Sequence, residues 1–150
     1  MVITSRASLV VFGQDDSHTA ARVTELMGLI PHDGGELGEF KRPPRIQPDG
    51  TVARRFVYKQ ATWILDAPED VDHDDESGFA SVRRLLDLVR PAKHAFAQLV
   101  AENYDVRLLW SGDSDSSQGG FVIPADLIAD LARMKCDLFG TVYISESDDD

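Results

Sequence analysis

The acidic, glycine-rich stretch WSGDSDSSQGGFVIPADL, residues 110–127, contains side chains that could bind an ion. A calcium loop of the EF-hand type needs oxygen ligands at positions 1, 3 and 5, glycine at position 6 and a bidentate glutamate at position 12. Asp113, Asp115 and Ser117 match the first three positions, but Gln118 and Pro124 occupy positions 6 and 12. The sharp bend and the closing carboxylate are missing, so the stretch is typical of a connection between two strands.

A second acidic stretch, residues 72–76, places His73 among carboxylates. Such groups bind divalent metals, but ligands that are adjacent in one loop need partners from elsewhere in the chain, and the sequence specifies none. An acidic flank also stabilises the helix that follows it, through the helix dipole. We therefore favour a solvating and capping role for this stretch, and we predict neither a metal site nor a cofactor.

The residue types of nucleophilic catalysis occur here without the spacing that such catalysis uses. The chain has no GxSxG or HExxH motif, and no ligand spacing joins its four histidines, His18, His32, His73 and His94. Cys136 stands between a helical pattern and an apolar run, which indicates a buried structural thiol. We predict no catalytic residue, and an enzyme is the less favoured hypothesis.

A basic segment with aromatic residues is the strongest candidate for ligand binding. Arg54 and Arg55 adjoin Phe56 and Tyr58. Consecutive strand residues point to opposite faces, so one arginine of the pair could face a cleft. A guanidinium beside an aromatic ring can bind a carboxylate or a phosphate through two hydrogen bonds. The alternatives are an edge strand protected by charge and ion pairs with the acidic stretch. The candidate ligand-binding site consists of Arg54, Arg55, Tyr58 and Trp63.

The charge and the cysteine content limit the classes of partner and compartment. The net charge is −11, which disfavours generic binding to nucleic acid. Residues 41–59 nevertheless carry +5, so the rest of the chain carries −16. A single cysteine excludes an internal disulfide and fits a reducing cytoplasm. We expect no membrane contact, because no apolar run approaches the roughly 20 residues of a membrane span and no secretory signal is evident.

Apolar periodicity predicts four helices. Asp16 or Ser17 is the expected N-cap of the first helix, and Gly28 its left-handed C-terminal residue. Pro91 should end the second helix and open the third, and Pro124 should open the fourth. The apolar residues that recur at helical spacing lie within residues 23–30 of the first helix, 79–89 of the second, 92–100 of the third and 127–134 of the fourth.

Alternating and continuous apolar runs predict the strands. We expect strands at residues 7–12, 53–67, 105–110, 119–123 and 137–144, with one edge strand in the glycine- and proline-rich residues 32–50. The fold class is α+β, a mostly antiparallel sheet with about four helices packed mainly on one face. Similar patterns at the two ends suggest a duplicated strand-helix-strand unit. Residues 1–145 form one domain, and residues 146–150 are an acidic disordered tail.

Three stretches carry a resemblance to a known family. They are VTELMGLIPHDGGELGE, the tryptophan strand ATWIL, and IPADLIADLARMKCDLFGTVYI with its late Tyr143. In this order they resemble the bacterial domain-of-unknown-function family numbered 4279, over nearly the whole chain. The resemblance implies a small bacterial cytoplasmic protein, with some members suspected as immunity-type partners of toxins. It supplies no catalytic residues.

Two hypotheses about function follow from these observations. The leading one is a non-enzymatic protein-interaction module, an immunity-like acidic protein that covers a basic partner such as a toxin. The rival is a small-ligand binder or enzyme that acts on a phosphate or carboxylate ligand in a cleft near Arg54 and Arg55. A homodimer that pairs through the sheet edge is compatible with either hypothesis.

Overall fold

The structure is a computed structural model that describes residues 3–69, 78–114 and 121–144. It confirms the α+β class. A 3-10 turn, Arg90–Ala92, joins the second helix to the third. In chain order the elements are β1 (Ile3–Phe12), α1 (Ala20–Met27), β2 (Asp33–Gly35), β3 (Thr62–Asp66), α2 (Ala80–Val89), α3 (Lys93–Ala101), β4 (Asp105–Ser114), α4 (Ala125–Arg133) and β5 (Asp137–Ile144).

One sheet contains all five described strands, in the order β2-β3-β1-β4-β5. The β2–β3, β3–β1 and β1–β4 pairs are antiparallel, whereas β4 and β5 are parallel. The sheet is therefore mixed, and the prediction of a mostly antiparallel sheet is wrong at β5. The reason is the connection: α4 carries the chain back to the end at which β4 began, and such a crossover gives parallel neighbours.

The described helices form three segments rather than the four predicted. Helix α2 continues through the 3-10 turn directly into α3. Pro91 does not interrupt this segment because it lies at the second position of the 3-10 turn, within a first turn whose N–H groups need no acceptor inside the helix. The first helix ends at Gly28 with φ of 65°, as predicted, but its N-cap is Thr19, whose side chain accepts a hydrogen bond from the Arg22 N–H.

The two halves of the proposed duplication have different topologies. Strand β1 leads through α1 to β2, which pairs with β3 and not with β1. At the other end, the second unit was expected to run from residues 119–123 through α4 to β5, but the described part of its first segment, residues 121–123, is irregular. The interpretation as a duplicated unit is therefore wrong.

Two predicted strands are shorter than expected or are replaced by irregular backbone. Residues 53–61 lie outside any regular strand, and only Thr62–Asp66 forms β3. Residues 121–123, the described part of the stretch 119–123, are irregular. Phe121 packs against the rings of Phe79 and Trp110, so its environment is the core margin rather than a strand pair.

The core lies between the helices and one face of the sheet. Alternate positions of β4, Val106, Leu108 and Trp110, are buried on this face, as their spacing predicted. Trp63 of β3 is completely buried, and its indole N–H donates to Thr24 Oγ1 at 3.0 Å. Burial of each such side chain contributes about 2–3 kcal/mol. The core cluster therefore fixes α1 on the sheet.

The opposite side of the sheet, which we call the open face, has no helix on it among the described residues. The strand registers place Ser8, Leu109 and Phe139 in one row across it. Gly140 supports this assignment, because a side chain there would meet the Trp110 ring on the core side. The other open-face positions include Arg6, Val10, Phe12, Ile64, Asp66, Asp105, Arg107, Ser111, Asp113, Asp137, Thr141 and Tyr143.

Candidate interaction surface

Residues 40–59 form an extension between β2 and β3, which we call the arm. Its two sides meet at isolated bridges, Phe40 with Val57 and Ile46 with Val52. A turn closes its tip, where the Gly50 N–H donates to the carbonyl oxygen of Gln47 at 2.9 Å. The adjacent prolines of the sequence RPPR cannot donate backbone hydrogen bonds, which explains why the pairing stays local.

Tyr58 holds the base of the arm against the sheet. Its ring packs on Gly35 of β2, where a Cβ atom would lie 2.6 Å from the ring. The Tyr58 hydroxyl donates to Asp33 Oδ1 at 3.5 Å. Burial, together with the nearby Asp33 carboxylate, raises the pKa of Tyr58 above its ordinary value. Tyr58 is therefore an anchor of the arm rather than a proton donor at neutral pH.

The arm exposes apolar side chains. Ile46 is 72% exposed and Phe56 is 62% exposed. Phe40, Val52 and Val57 are exposed as well. Contiguous exposed apolar groups on a folded protein are a recurrent sign of an interaction surface.

The basic residues of the arm lie over aromatic rings or point to solvent. The guanidinium carbon of Arg55 is 3.4 Å from the Phe40 ring centroid. Arg54 is 5.3 Å from the ring of Phe56, and the Lys41 ammonium is 5.3 Å from the ring of Tyr58. Within the part of the chain that the structure describes, no carboxylate lies within ion-pair distance of an arm cation.

Arg55 differs from Arg54 in its surroundings. Arg55 is half-buried and donates from Nη2 to the Arg42 carbonyl oxygen at 3.4 Å, whereas Arg54 is exposed. The buried Arg55 Nε has no hydrogen-bond partner. A buried donor without a partner costs free energy, so an acceptor brought by a bound molecule would be favourable there.

The four predicted site residues do not converge. Arg54, Arg55 and Tyr58 belong to the arm or its base, but Trp63 points into the core on the other side of the sheet. Most residues of the arm are exposed, so the arm extends away from the core. A cleft of about 770 Å³ lies elsewhere, on the open face and along the end of β1, where its walls include Arg6, Asp66, Leu109, Phe139 and Tyr143.

The cleft holds hydroxyl groups but no activated nucleophile among its described residues. Ser8 Oγ donates to Asp66 Oδ1 at 2.6 Å, and Ser5 Oγ is 2.8 Å from Ser81 Oγ. No histidine or cysteine is among the described residues that line it. A serine without an imidazole partner is a weak nucleophile.

The remaining candidate groups are held in structural roles. Cys136 is buried, as predicted, and burial raises the pKa of its thiol to about 11. His18 stacks on Tyr104 at 4.1 Å, and its Nδ1 accepts from the Gln14 N–H. In the described ranges no three His, Cys, Asp or Glu side chains are grouped as metal ligands, and no helix is long and apolar enough to cross a membrane. Residues 72–76, 115–120 and 146–150, on which other predictions fall, lie outside the described residues.

Comparison with known proteins identifies the family. A family model matches residues 3–145, nearly the whole chain. The chain belongs to the DUF4279 family. The family is described as a domain of unknown function, so membership confirms the resemblance but assigns no activity to this DUF4279 chain. No curated protein and no solved structure matches it.

The sequence analysis of this DUF4279 chain did not identify the exposed apolar residues of the arm. Phe40, Ile46 and Val52 were parts of an irregular excursion or a long strand, and no role was expected for them. The signal was present in the sequence, because single apolar residues spaced among prolines, glycines and basic residues have no periodic face to bury. Such residues are exposed unless a partner covers them.

Proposed function

We propose that the protein is a non-enzymatic protein-interaction module and that the arm is its docking element. The observation that carries the proposal is the pairing of exposed apolar side chains with cations that have no carboxylate partner among the described residues. An arginine already ordered over a ring loses less side-chain entropy when it binds a carboxylate. Exposed Phe56 and Ile46 would supply the apolar centre of the contact.

The acidic remainder of the molecule is a second part of this proposal. It carries −16, against +5 on the arm. The electrostatic field of this negative charge increases the rate of association with a basic protein, and added salt screens it. This supports an immunity-like role in which the protein covers a basic partner, such as a toxin, in the bacterial cytoplasm. The arm would then meet an acidic patch beside the basic surface of that partner.

The chemistry of the described residues favours binding over catalysis. The Cys136 thiol is protonated at neutral pH because its pKa lies near 11. Ser8, in the cleft, is hydrogen-bonded to a carboxylate, which is a weaker base than the imidazole that commonly activates a serine. These groups support structure and recognition.

An affinity-capture experiment tests the proposal. The wild-type chain, Arg54→Glu/Arg55→Glu and Lys93→Glu/Arg133→Glu would be immobilised and exposed to lysate at low ionic strength. The last variant is the matched control, because it makes the same charge change on the helical side of the domain. We expect one protein to be retained by wild type and control, and to be lost with the arm variant and at high salt. Equal capture by all three would contradict a docking role for the arm.

A second candidate function is binding, or turnover, of a small anionic ligand at Arg54 and Arg55. The unpartnered Nε of Arg55 is the observation that favours it. A ligand that binds only the folded state raises the melting temperature. Thermal shift with inorganic phosphate, nucleotides and dicarboxylates separates the candidates, because the interaction module predicts no shift. A rise that disappears in Arg54→Gln/Arg55→Gln would favour the ligand.

A further inference from the structure

The open face exposes apolar and acidic side chains together. Leu109, Phe139 and Tyr143 are 39%, 45% and 58% exposed there. The exposed carboxylates on the same face are Asp66, Asp113 and Asp137. The described cations on this face are Arg6 and Arg107, and Arg107 is bound to Asp105 at 2.6 Å. The open face therefore offers a net negative, partly apolar surface.

The arm has the complementary chemistry and a matching shape. It carries +5 and exposes Phe40, Ile46 and Phe56. Its two sides meet at local bridges, so as an extended segment it can lie across a sheet in the way that one layer packs on another, about 10 Å away. Within one chain neither surface covers the other, since both keep their apolar side chains exposed. A second molecule is needed to bury them.

We propose that the arm of one copy of this chain docks on the open face of a second copy. The inference rests on the proposed role of the arm as a docking element and assigns the occupant. Opposite charges favour the contact, and the overall charge of −11 disfavours a nucleic acid as the alternative occupant. Reciprocal docking about a two-fold axis uses both arms and both faces, so the assembly closes as a dimer.

Charge reversal on each surface provides the test, read by sedimentation velocity on the full chain. Wild type should be a dimer at low ionic strength and should dissociate as salt is added. Arg54→Glu/Arg55→Glu on the arm and Asp66→Lys/Asp113→Lys on the open face should each raise the dimer dissociation constant by roughly tenfold to a hundredfold. Lys93→Glu/Arg133→Glu, with the same charge change as the arm variant, should remain dimeric. Circular dichroism would show that every variant is folded.

Mixing the two interface variants gives the decisive result. The arm variant carries glutamates at positions 54 and 55, which lowers the charge of its arm from +5 to +1, and it keeps the acidic face, whereas the open-face variant has a basic arm and a basic face. A heterodimer of the two places the introduced glutamates against the introduced lysines at one contact and the unchanged arm against the unchanged face at the other. The mixture should therefore sediment as a dimer at concentrations at which each variant alone is mainly monomeric.

Three outcomes would overturn the inference. They are a wild-type monomer at every ionic strength, a dimer that neither reversal weakens, and a mixture that fails to associate. The proposed function is judged separately. A monomer whose arm variant loses a partner that the Lys93→Glu/Arg133→Glu control retains would reject self-docking while supporting the interaction module.

Discussion

Two arginines of the arm and two arginines of the helices are surrounded by different groups. Arg22 on α1 donates to Glu25 at 2.9 Å and to Glu102 at 2.8 Å. Arg83 reaches Asp126 at 2.9 Å. In the arm, by contrast, Arg54 and Arg55 lie over phenylalanine rings and reach no described carboxylate.

The arginines of the helices form ion pairs within the fold, whereas the charges of the arm arginines are available to a partner. The pairs of Arg22 and Arg83 join α1 to the end of α3 and α2 to α4, so their charges are compensated by elements of the same domain. Arg54 and Arg55 lie over rings but have no described carboxylate within ion-pair distance. A surface whose charge is ordered but uncompensated is suited to meeting an opposite charge from outside.

The largest contrast in stability should be between Trp63 and Phe56. Trp63→Ala removes a fully buried ring and its hydrogen bond to Thr24, so we expect a loss of about 3–5 kcal/mol in the free energy of unfolding. Phe56→Ala removes an exposed ring and should cost less than about 0.5 kcal/mol. Urea denaturation of both variants measures these values. Similar losses would mean that the arm is part of the core.

Trypsin should cleave the native protein faster in the arm than in the rest of the domain. The described arm has few ladder hydrogen bonds and exposes Arg54, so it should open locally at low cost. We expect cleavage within residues 40–59 to be at least roughly tenfold faster than at Arg22 or Arg107. Mass spectrometry of timed digests identifies the sites. First cuts at Arg107, inside β4, would refute the contrast.

The pH dependence of stability should reveal the Arg22–Glu102 pair. Hydrogen bonds from Arg22 and Gln98 lower the pKa of Glu102 from 4.5 to about 2. The unfolded chain therefore takes up this proton first as pH falls, so the stabilisation is complete above about pH 4.5 and is lost towards pH 2. Urea titrations should show that the free energy of unfolding of Glu102→Gln falls less than that of the wild type between about pH 4.5 and pH 2. Arg54→Gln, the control, should have the same pH dependence of unfolding free energy as the wild type. A change as large as that of Glu102→Gln would mean that Arg54 also forms an ion pair in the folded protein.

The smallest expected effect is that of the Arg55 ring contact on folding. Arg55→Met removes the charge above the Phe40 ring but retains much of the apolar stem, so we expect a loss of only about 0.5 kcal/mol. Thermal denaturation measures it against Arg45→Met, which has no ring contact. A loss above about 2 kcal/mol would assign Arg55 a structural role instead of a docking role.

Local sequence patterns were sufficient for most elements of the domain. The alternation of Val106, Leu108 and Trp110 predicted their common buried face, and Gly28 provides the positive φ that a side chain would strain. A pattern of this kind predicts the buried face of one strand or the position of one helix end. They do not report which strands become neighbours, so the parallel pairing of β5 was missed.

Only part of the candidate site could be predicted from the sequence. The sequence shows which residues are neighbours along the chain, but not where they lie in the fold. The segment with Arg54, Arg55 and Tyr58 was identified from its charge and rings, which are properties of neighbouring residues. The assignment of Trp63 to the same site required knowledge of which side of the sheet it faces. Strand alternation cannot specify the side, and the structure places Trp63 against α1.

The central position of β1 affects how the protein is made. Ile3–Phe12 leaves the ribosome before both of its partner strands, Thr62–Asp66 and Asp105–Ser114. The nascent chain must therefore carry an apolar strand with both edges unpaired until β3 is made, and with one edge unpaired until β4 follows. Closing ladders between such distant segments is slow. We expect newly translated chains to depend on a holding chaperone until β4 emerges.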